Sequence, residues 1–552
     1  MARSYRHPAL EQLSLPFGPV HNSNLFSNHW LEHRLPQEPE WRELEKGAER
    51  ALESISSVWA LEKKRVGKYE NEQSLEYALI QPVLESLGWK IIYQTFLRAR
   101  KPDYALFLED ESKDAALNEG KNSPAFWRFP TLVADAKAWG TRLDRPIRVN
   151  NQREYPPEQI EWYLNQSLLP YGILTNGACW RLVPREHAQD QPRFQTYLEC
   201  DLPTILDAWL AAKDLVQREE INRHFLRFYL FFSPAGYRAV EGRTPVATRA
   251  KEGSSEYRLG IGEDLKMRVF EALRFCIEGF LKFPPNHLDE GQISLCREQS
   301  FVFLYRLLFA MYAEDRGLLP YRKNQLYTEN RSLGRFRVDI AAKLDRLGTW
   351  GAKDYSKEAT SLWDDVQDLF DLIDSGKKAY GIPAYNGGLF SRESNGFLAT
   401  RKISDWHLAR VIDQLGRAPD PEHPRAGLYP VDYRDLQIQH LGNIYEGLLE
   451  LDPHIVTEPR IVVRPKAPSR RHEETTIAAR AAIPKGFEKT DMRYEPGDVE
   501  LLTDKGERRS TGSYYTPNHI VDHLVEKALR PLCKAIDGQL RDEIARTEKE
   551  LA

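Results

Sequence analysis

What this chain of 552 residues has little of narrows its function before any motif does. It holds five cysteines, Cys179, Cys200, Cys276, Cys296 and Cys533, with no CxxC pair among them. That argues against a disulfide framework and against a cysteine zinc cluster, and the thiols read as small buried hydrophobes. Long apolar runs are missing too. The most apolar stretch, FVFLYRLLFAMYA at 301–313, is broken by Arg306 and is shorter than the ~20 residues a bilayer requires. The N-terminal MARSYRHPALEQLSLPFG lacks the apolar segment of a secretory signal, so a cytoplasmic chain with no membrane attachment is expected. An excess of one charge is absent: 77 Lys and Arg against 81 Asp and Glu leave a formal net charge of −4, which speaks against a protein that coats nucleic acid by bulk charge. There is no repeat period, hence no solenoid, and no GxxxxGK[ST] phosphate loop, hence no ATP motor of that type.

What remains is an ordinary globular composition, 41% hydrophobic and 29% charged, in a chain long enough for about three or four domains. Texture divides it. Residues 1–55 read as an N-terminal arm leading into a helix. Residues 56–200 pass from helix to strands to helix to hairpin. In that stretch NEQSLEYALIQPVLESLG predicts a helix over 71–88 stopped by Gly88; WKIIYQTFL, PDYALFL and TLVADAKAW predict strands; PPEQIEWYLNQSL opens a helix at Pro156; and YGILTNGACWRLV predicts two strands joined at Asn176-Gly177. Amphipathic helices dominate 201–452, and 453–510 reads as a linker with some extended structure. The segment 109–128, EDESKDAALNEGKNSPAFWR, reads as a solvated loop between two strands.

The chemistry concentrates in TLVADAKAWG at 131–140. Alternation along a strand sends Asp135 and Lys137 to one face and Ala134, Ala136 and Ala138 to the other, where three small side chains let a helix lie close. Thirty-odd residues earlier, KPDYALF places Asp103 at the head of another apolar strand. If the two strands pair, Asp103 comes beside Asp135 and two carboxylates make a hard oxygen site suited to Mg²⁺, with Glu72 on the preceding helix as a further ligand or base. Lys137 would then stand beside a metal-bound water and a scissile phosphate. Gln159 and Tyr163, four apart on one helix, share a face from which they would contact a DNA backbone or brace the site. Other acid-x-Lys pairs, such as Glu62/Lys64 and Asp264/Lys266, lie outside apolar strands and read as solvated charge. Arg98, Arg100 and Lys101 before the first strand, and Arg142, Arg145, Arg148 and Arg153 after the second, are candidate phosphate contacts.

In that order these segments resemble the PD-(D/E)xK nuclease domain of restriction enzymes, in its RecB-like form with a Q-x-x-x-Y helix. The resemblance implies an α/β fold, a mixed central sheet flanked by helices, followed here by a mainly α-helical connector domain. It implies a catalytic set of Asp103, Asp135 and Lys137 supported by Glu72, Gln159 and Tyr163, with Asp103, Asp135 and Glu72 as the metal ligands. Two departures stand out: Asp rather than the commoner Glu as second acid, and the long insertion before its strand.

Further segments, NLFSNHWLEHRLPQEPEW at 24–41, YRLLFAMYAEDRGLLP at 305–320, YNGGLF at 385–390, LGNIYEGLLE at 441–450 and GSYYTPNHIV at 512–521, resemble type IIG restriction enzymes, which fuse such a nuclease to an adenine-N6 methyltransferase. The middle segments read from their own residues as helix core. By the resemblance 511–552 is the start of a methyltransferase domain, and Tyr515, Thr516 and Pro517 would line an S-adenosylmethionine pocket in the completed enzyme. No DPACGSG-like turn and no NPPY-like tetrapeptide follows, so methylation would need a separate subunit or a missing C-terminal half carrying the methyltransferase and target-recognition parts. The expectation is a Mg²⁺-dependent endonuclease acting on double-stranded DNA in a restriction-modification or phage-defence system. The alternative is a non-cleaving scaffold of an adenine-specific DNA methyltransferase.

Overall fold

The structure is a computed structural model. It describes residues 18–503 apart from 70, 99, 150–151, 187–193, 195, 241, 322–323, 348–354, 386, 393–394, 421–426, 437 and 467–474, together with 520, 523–533, 535 and 536. Tyr515, Thr516 and Pro517 lie outside the described residues.

A seven-stranded mixed sheet organises the first half. In chain order its elements are β1 (Val20–Ser23), α1 (Glu45–Glu62), α2 (72–86), β2 (Lys90–Tyr93), β3 (Tyr104–Phe107), α3 (Asp110–Glu119) and β4 (Leu132–Ala136). A small hairpin, β5 (Ile147–Val149) and β6 (Gln152–Glu154), precedes α4 (Pro156–Ser167), and β7 (Tyr171–Thr175), β8 (Cys179–Pro184) and β9 (Tyr197–Asp201) complete it. The strand order is β1-β9-β8-β7-β4-β3-β2. Among the named strands of the described residues only β4 and β7 pair in parallel, and α4 supplies the crossover that a parallel pair requires. The hairpin between β7 and β8 turns at Gly177, whose φ of +83° a residue with a Cβ adopts only under strain.

Both faces of the sheet are covered. Ala134 and Ala136 share a core with Leu75, Leu79, Ile80 and Val83 of α2, so the alanine face does receive a closely packed helix. The opposite face carries Ala105, Phe107, Val133 and Leu174 against Ile160, Tyr163 and Leu164 of α4. Gly172 in β7 makes that contact possible, since a Cβ there would lie 2.9 Å from the Ile160 side chain.

The 109–128 segment is not a solvated loop. It forms α3 and a short 3₁₀ turn, Pro124–Arg128, and buries Ala116, Phe126 and Trp127 in the α4-side core. Trp127 also donates from its indole N–H to the Phe96 carbonyl at 2.8 Å. The charged and small residues that read as solvated coat the outer face, and three apolar side chains suffice to dock the rest.

The sheet's core reaches beyond 56–200 in both directions. It takes in Leu25, Phe26 and Trp30 from the N-terminal arm and continues through α5 (Leu202–Ala211) and α6 (Leu215–Phe232) to Ala250. Next, α7 (Val246–Leu281) joins the halves: Val246, Ala247 and Ala250 belong to the sheet's core, while Tyr257 through Phe280 line a second one. That second core is helical, built from α7, α8 (Ile293–Asp315), α9 (Leu333–Leu347), α10 (Ser361–Ser375), α11 (Asp405–Gly416) and α12 (Ile438–Leu449). The molecule is thus an α/β domain followed by a mainly helical region. Buried Arg306 of α8 donates to the carbonyl of Leu389 at 2.7 Å, so two of the segments singled out in the sequence dock on each other. The stretch 453–510 is more than a linker over its described part, since Leu451–Ile455 pairs with Val499–Thr503 and Arg460–Pro465 with both Thr475–Ala478 and Phe487–Tyr494. Among the described residues no helix is long and apolar enough to cross a membrane, and of the five cysteines only Cys533 is exposed, so it is no buried hydrophobe.

Candidate active site

Strand register brings the two aspartates together. Tyr104 lies opposite Ala134 in the antiparallel β3–β4 pair, so one step further places Asp103 opposite Asp135 at the end of the sheet. Asp103 Oδ2 accepts a hydrogen bond from the Ala136 backbone N–H at 2.7 Å, which fastens the two strand ends. On the other side of β4 the Lys137 N–H donates to the Thr175 carbonyl of the parallel neighbour at 2.7 Å. Lys137 Nζ lies 2.5 Å from Asp135 Oδ2 and donates to the Ala136 carbonyl at 2.8 Å. Asp135 and Lys137 are only 2% and 4% exposed, so the two opposite charges meet away from solvent.

The helix α2 brings two more carboxylates to the same corner. Asn71 caps it by accepting from the Ser74 N–H at 2.9 Å, and Glu72 sits in the first turn, where the helix dipole favours an acid. The helix then widens into a π turn, Glu76–Ile80, a feature that recurs at functional positions. One carboxylate oxygen each from Glu72, Glu76 and Asp103 lie within 4.8 Å of one another. Asp135, engaged by Lys137, stands outside this trio. Of the expected metal set the structure therefore brings Glu72 and Asp103 together and adds Glu76. The sequence held a signal for it: Glu76 follows Glu72 by one helical turn, hence on the same face.

Electrostatics at this corner are those of crowded acids. Burial, then Asp135 and Glu76, raise Asp103 well above the usual carboxylate range. Burial likewise raises Glu72, offset in part by Lys137. Glu76 is pushed up to about 7 by burial and by its neighbours Glu72 and Asp135. Its Oε2 and the nearby Tyr104 hydroxyl are buried without a well-formed hydrogen bond. Lys137 is buried as well, which disfavours its charge, yet Asp135, Glu72 and Asp103 outweigh burial and hold it above its ordinary pKa. Three carboxylates, those of Asp135, Glu72 and Asp103, face the one ammonium, and Glu76 adds a fourth acid beside them. An all-oxygen donor set with an unmet buried oxygen fits a hard divalent cation, whose charge would relieve the repulsion.

On the α4 side, Gln159 Nε2 donates to the Tyr163 hydroxyl at 3.0 Å, and that hydroxyl donates to the Lys101 carbonyl at 3.3 Å. The pair thus pins the loop that leads into Asp103, and Tyr163 is close enough to Asp135 and Asp103 for their charge to raise its pKa further, on top of burial. Behind Lys137, Asn176 Nδ2 donates to the Thr141 carbonyl at 2.8 Å and ties down the following loop. Of the basic candidates, Arg100 lies over the Trp162 ring at 5.0 Å and Lys101 over Phe96 at 4.4 Å, while Arg142 pairs with Asp144 at 3.0 Å. The side chains of Arg148 and Arg153 lie outside the described residues.

No protein-family model and no curated protein sequence matches this chain. Among solved structures, it is similar to the type IIG restriction endonuclease BpuSI, with 11% identity over 62% of this chain and 30% of that one and a TM-score of 0.21. The matched part spans less than a third of that enzyme, and a superposition this loose assigns neither fold nor activity.

Proposed function

We propose that the chain is a metal-dependent deoxyribonuclease that hydrolyses phosphodiester bonds at the corner formed by Asp103, Asp135, Lys137, Glu72 and Glu76. The observation that carries this reading is the opposition of two aspartates across a strand pair, with a charged lysine held against the second and two glutamates arriving from a flanking helix. Asp103, Glu72 and Glu76 would hold a magnesium ion, which when bound supplies positive charge to a phosphate and acidity to a bound water. The chain's own groups do the rest. Lys137, kept protonated, presents positive charge to the phosphoryl oxygens as negative charge develops on them. Asp135 orients that ammonium. Gln159 and Tyr163 keep Asp103 in place through the Lys101 carbonyl. Substrate DNA, a restriction or phage-defence setting, and a methyltransferase and target-recognition partner belong to this proposal, as does use of S-adenosylmethionine in a completed enzyme.

Cleavage assays test it. With magnesium, the intact chain should nick or cut DNA, and Asp135→Asn should lower the rate by about a hundredfold or more; because it takes the nearest counter-charge from buried Lys137, it should also lower the melting temperature, so the rates are compared where circular dichroism shows the variant folded. Cleavage that survives this substitution would remove the site from consideration. The non-cleaving reading draws on the burial of the Asp135–Lys137 pair, closed upon itself, and wins if no DNA is cut with or without a companion methyltransferase subunit.

A further inference from the structure

Beside the acidic corner, on the outer side of α4, lies an open cleft of about 320 Å³, bordered by Arg100, Glu154, Tyr155, Glu158, Gln159 and Trp162. It is of a size that encloses a small planar group. Its lining is of two kinds. One is a flat surface: the half-buried Trp162 indole, with Arg100 stacked over it at 5.0 Å and Tyr163 edge-on to it at 5.7 Å. The other is a set of acceptors, the carboxylates of Glu154, Glu158 and Glu161 and the amide of Gln159, whose Oε1 is buried without a partner. Carboxylates repel a phosphate. They accept readily from the exocyclic amine and ring N–H groups of a nucleobase, whose π face suits the indole.

The cleft adjoins the corner through its own wall. Gln159 binds Tyr163, which feels the charge of Asp135 and Asp103, and Glu154 is near enough to Glu72 to raise its pKa. Further aromatic surface stands exposed on the same elements that carry the acids. Tyr77, 80% exposed, follows Glu76 directly; Tyr93 and Phe96, 37% and 41% exposed, lie on the segment that runs into Asp103, with Lys101 over Phe96. Basic residues interleaved with exposed rings are the surface that binds an unpaired strand, with phosphates on the cations and bases on the rings. A base inside an intact duplex presents only its edge and cannot reach such a platform.

We infer that the cleft at Trp162 receives an unpaired nucleobase next to the scissile phosphate, so that the substrate of this site is DNA that is single-stranded, or locally opened, at the point of cutting. The inference rests on the nuclease reading for the position of the phosphate, and on Trp162 for the base.

The test is equilibrium binding of the full chain, in EDTA so that nothing is cut, to a fluorescein-labelled single strand of mixed sequence and to its blunt duplex. A second single strand carries a purine analogue whose emission falls on stacking. The single strand is expected to bind about tenfold tighter than the duplex, and the analogue to be quenched. Trp162→Ala should collapse that preference by about tenfold and abolish the quenching, and Trp162→Phe, which keeps a ring, should restore both. Arg100→Ala, on a separate loop, should weaken the preference independently of any effect of the indole on folding. Equal or tighter binding of the duplex, or quenching indifferent to Trp162, overturns the inference. So does displacement of the strand by free nucleoside monophosphates at matching concentration, which would give the cleft to a small molecule. Cleavage in magnesium separates the two readings: DNA cut in an Asp135-dependent way by a chain blind to strandedness sinks only the base site, whereas Trp162-dependent quenching without any cleavage sinks only the nuclease.

Discussion

Lys137 and Glu76 carry opposite burdens in the corner. Removing the Lys137 ammonium leaves Asp135 buried without its counter-charge, a situation that costs about 3–5 kcal/mol when one partner of a buried pair is deleted. Lys137→Ala should therefore lower the melting temperature as well as abolish turnover, while magnesium affinity, measured by calorimetry, is retained because the oxygen trio is intact. Glu76 works the other way. Its folded-state pKa, near 7, lies above its unfolded value, so the folded chain holds the extra proton between roughly pH 4.5 and 7 and loses stability as pH rises through that window. Glu76→Gln should flatten this decline and raise metal-free stability at pH 8 by on the order of 2 kcal/mol, while weakening magnesium binding. Denaturant titrations at pH 5 and pH 8 check both signs. An unaltered pH slope in the variant would mean that Glu76 is not the group being titrated.

At the level of elements, the site depends on how closely α4 lies on β7. A Cβ at Gly172 would meet Ile160 at 2.9 Å and Leu164 at 3.3 Å. Gly172→Val should thus force the helix outward, at about 1–3 kcal/mol of overpacking, and draw Gln159 and Tyr163 away from the Asp103 loop. The expected result is a loss of cleavage larger than the loss of stability, with partial recovery when Ile160→Ala makes room. The α2 helix was legible because its apolar positions recur at helical spacing and Gly88 ends it at φ +98°. Its π turn was not, because widening by one residue leaves the hydrophobic period nearly unchanged. The helix over 110–119 has no legible sequence signal for a related reason: an insertion with only a few buried side chains has too weak a periodicity to stand out from a solvated loop.

For the whole molecule, the sheet's core is closed by residues from 25 to 250 rather than by 56–200 alone. A fragment covering 18–256 keeps β1, the helices through Phe232, and the hydrogen bond from the Ser27 N–H to Ser254 Oγ. It should melt cooperatively, whereas a fragment limited to 56–200 should remain unfolded by circular dichroism, having lost β1, Phe225, Phe228 and most of α1. The longer fragment still severs ties to the helical half. Arg258 spans them, reaching Asp435 at 3.2 Å and the Asn24 carbonyl at 3.0 Å, and buried Asp435 is pushed up to about 7.

Local pattern alone specified the alternation that separates Asp135 and Lys137 from the alanines, the Gly177 hairpin, the proline-opened α4, and the helical character of the second half, because each follows from near neighbours along the chain. Which strands pair, and with what register, is a matter of contacts between residues far apart in sequence. Folding alone set Asp103 opposite Asp135, brought Glu72 and Glu76 of α2 to Asp103, turned Asp135 toward Lys137 rather than toward the trio, and opened the cleft at Trp162. Those arrangements arise where two cores, a crossover helix and a sheet end meet, and no window of a single sequence contains them.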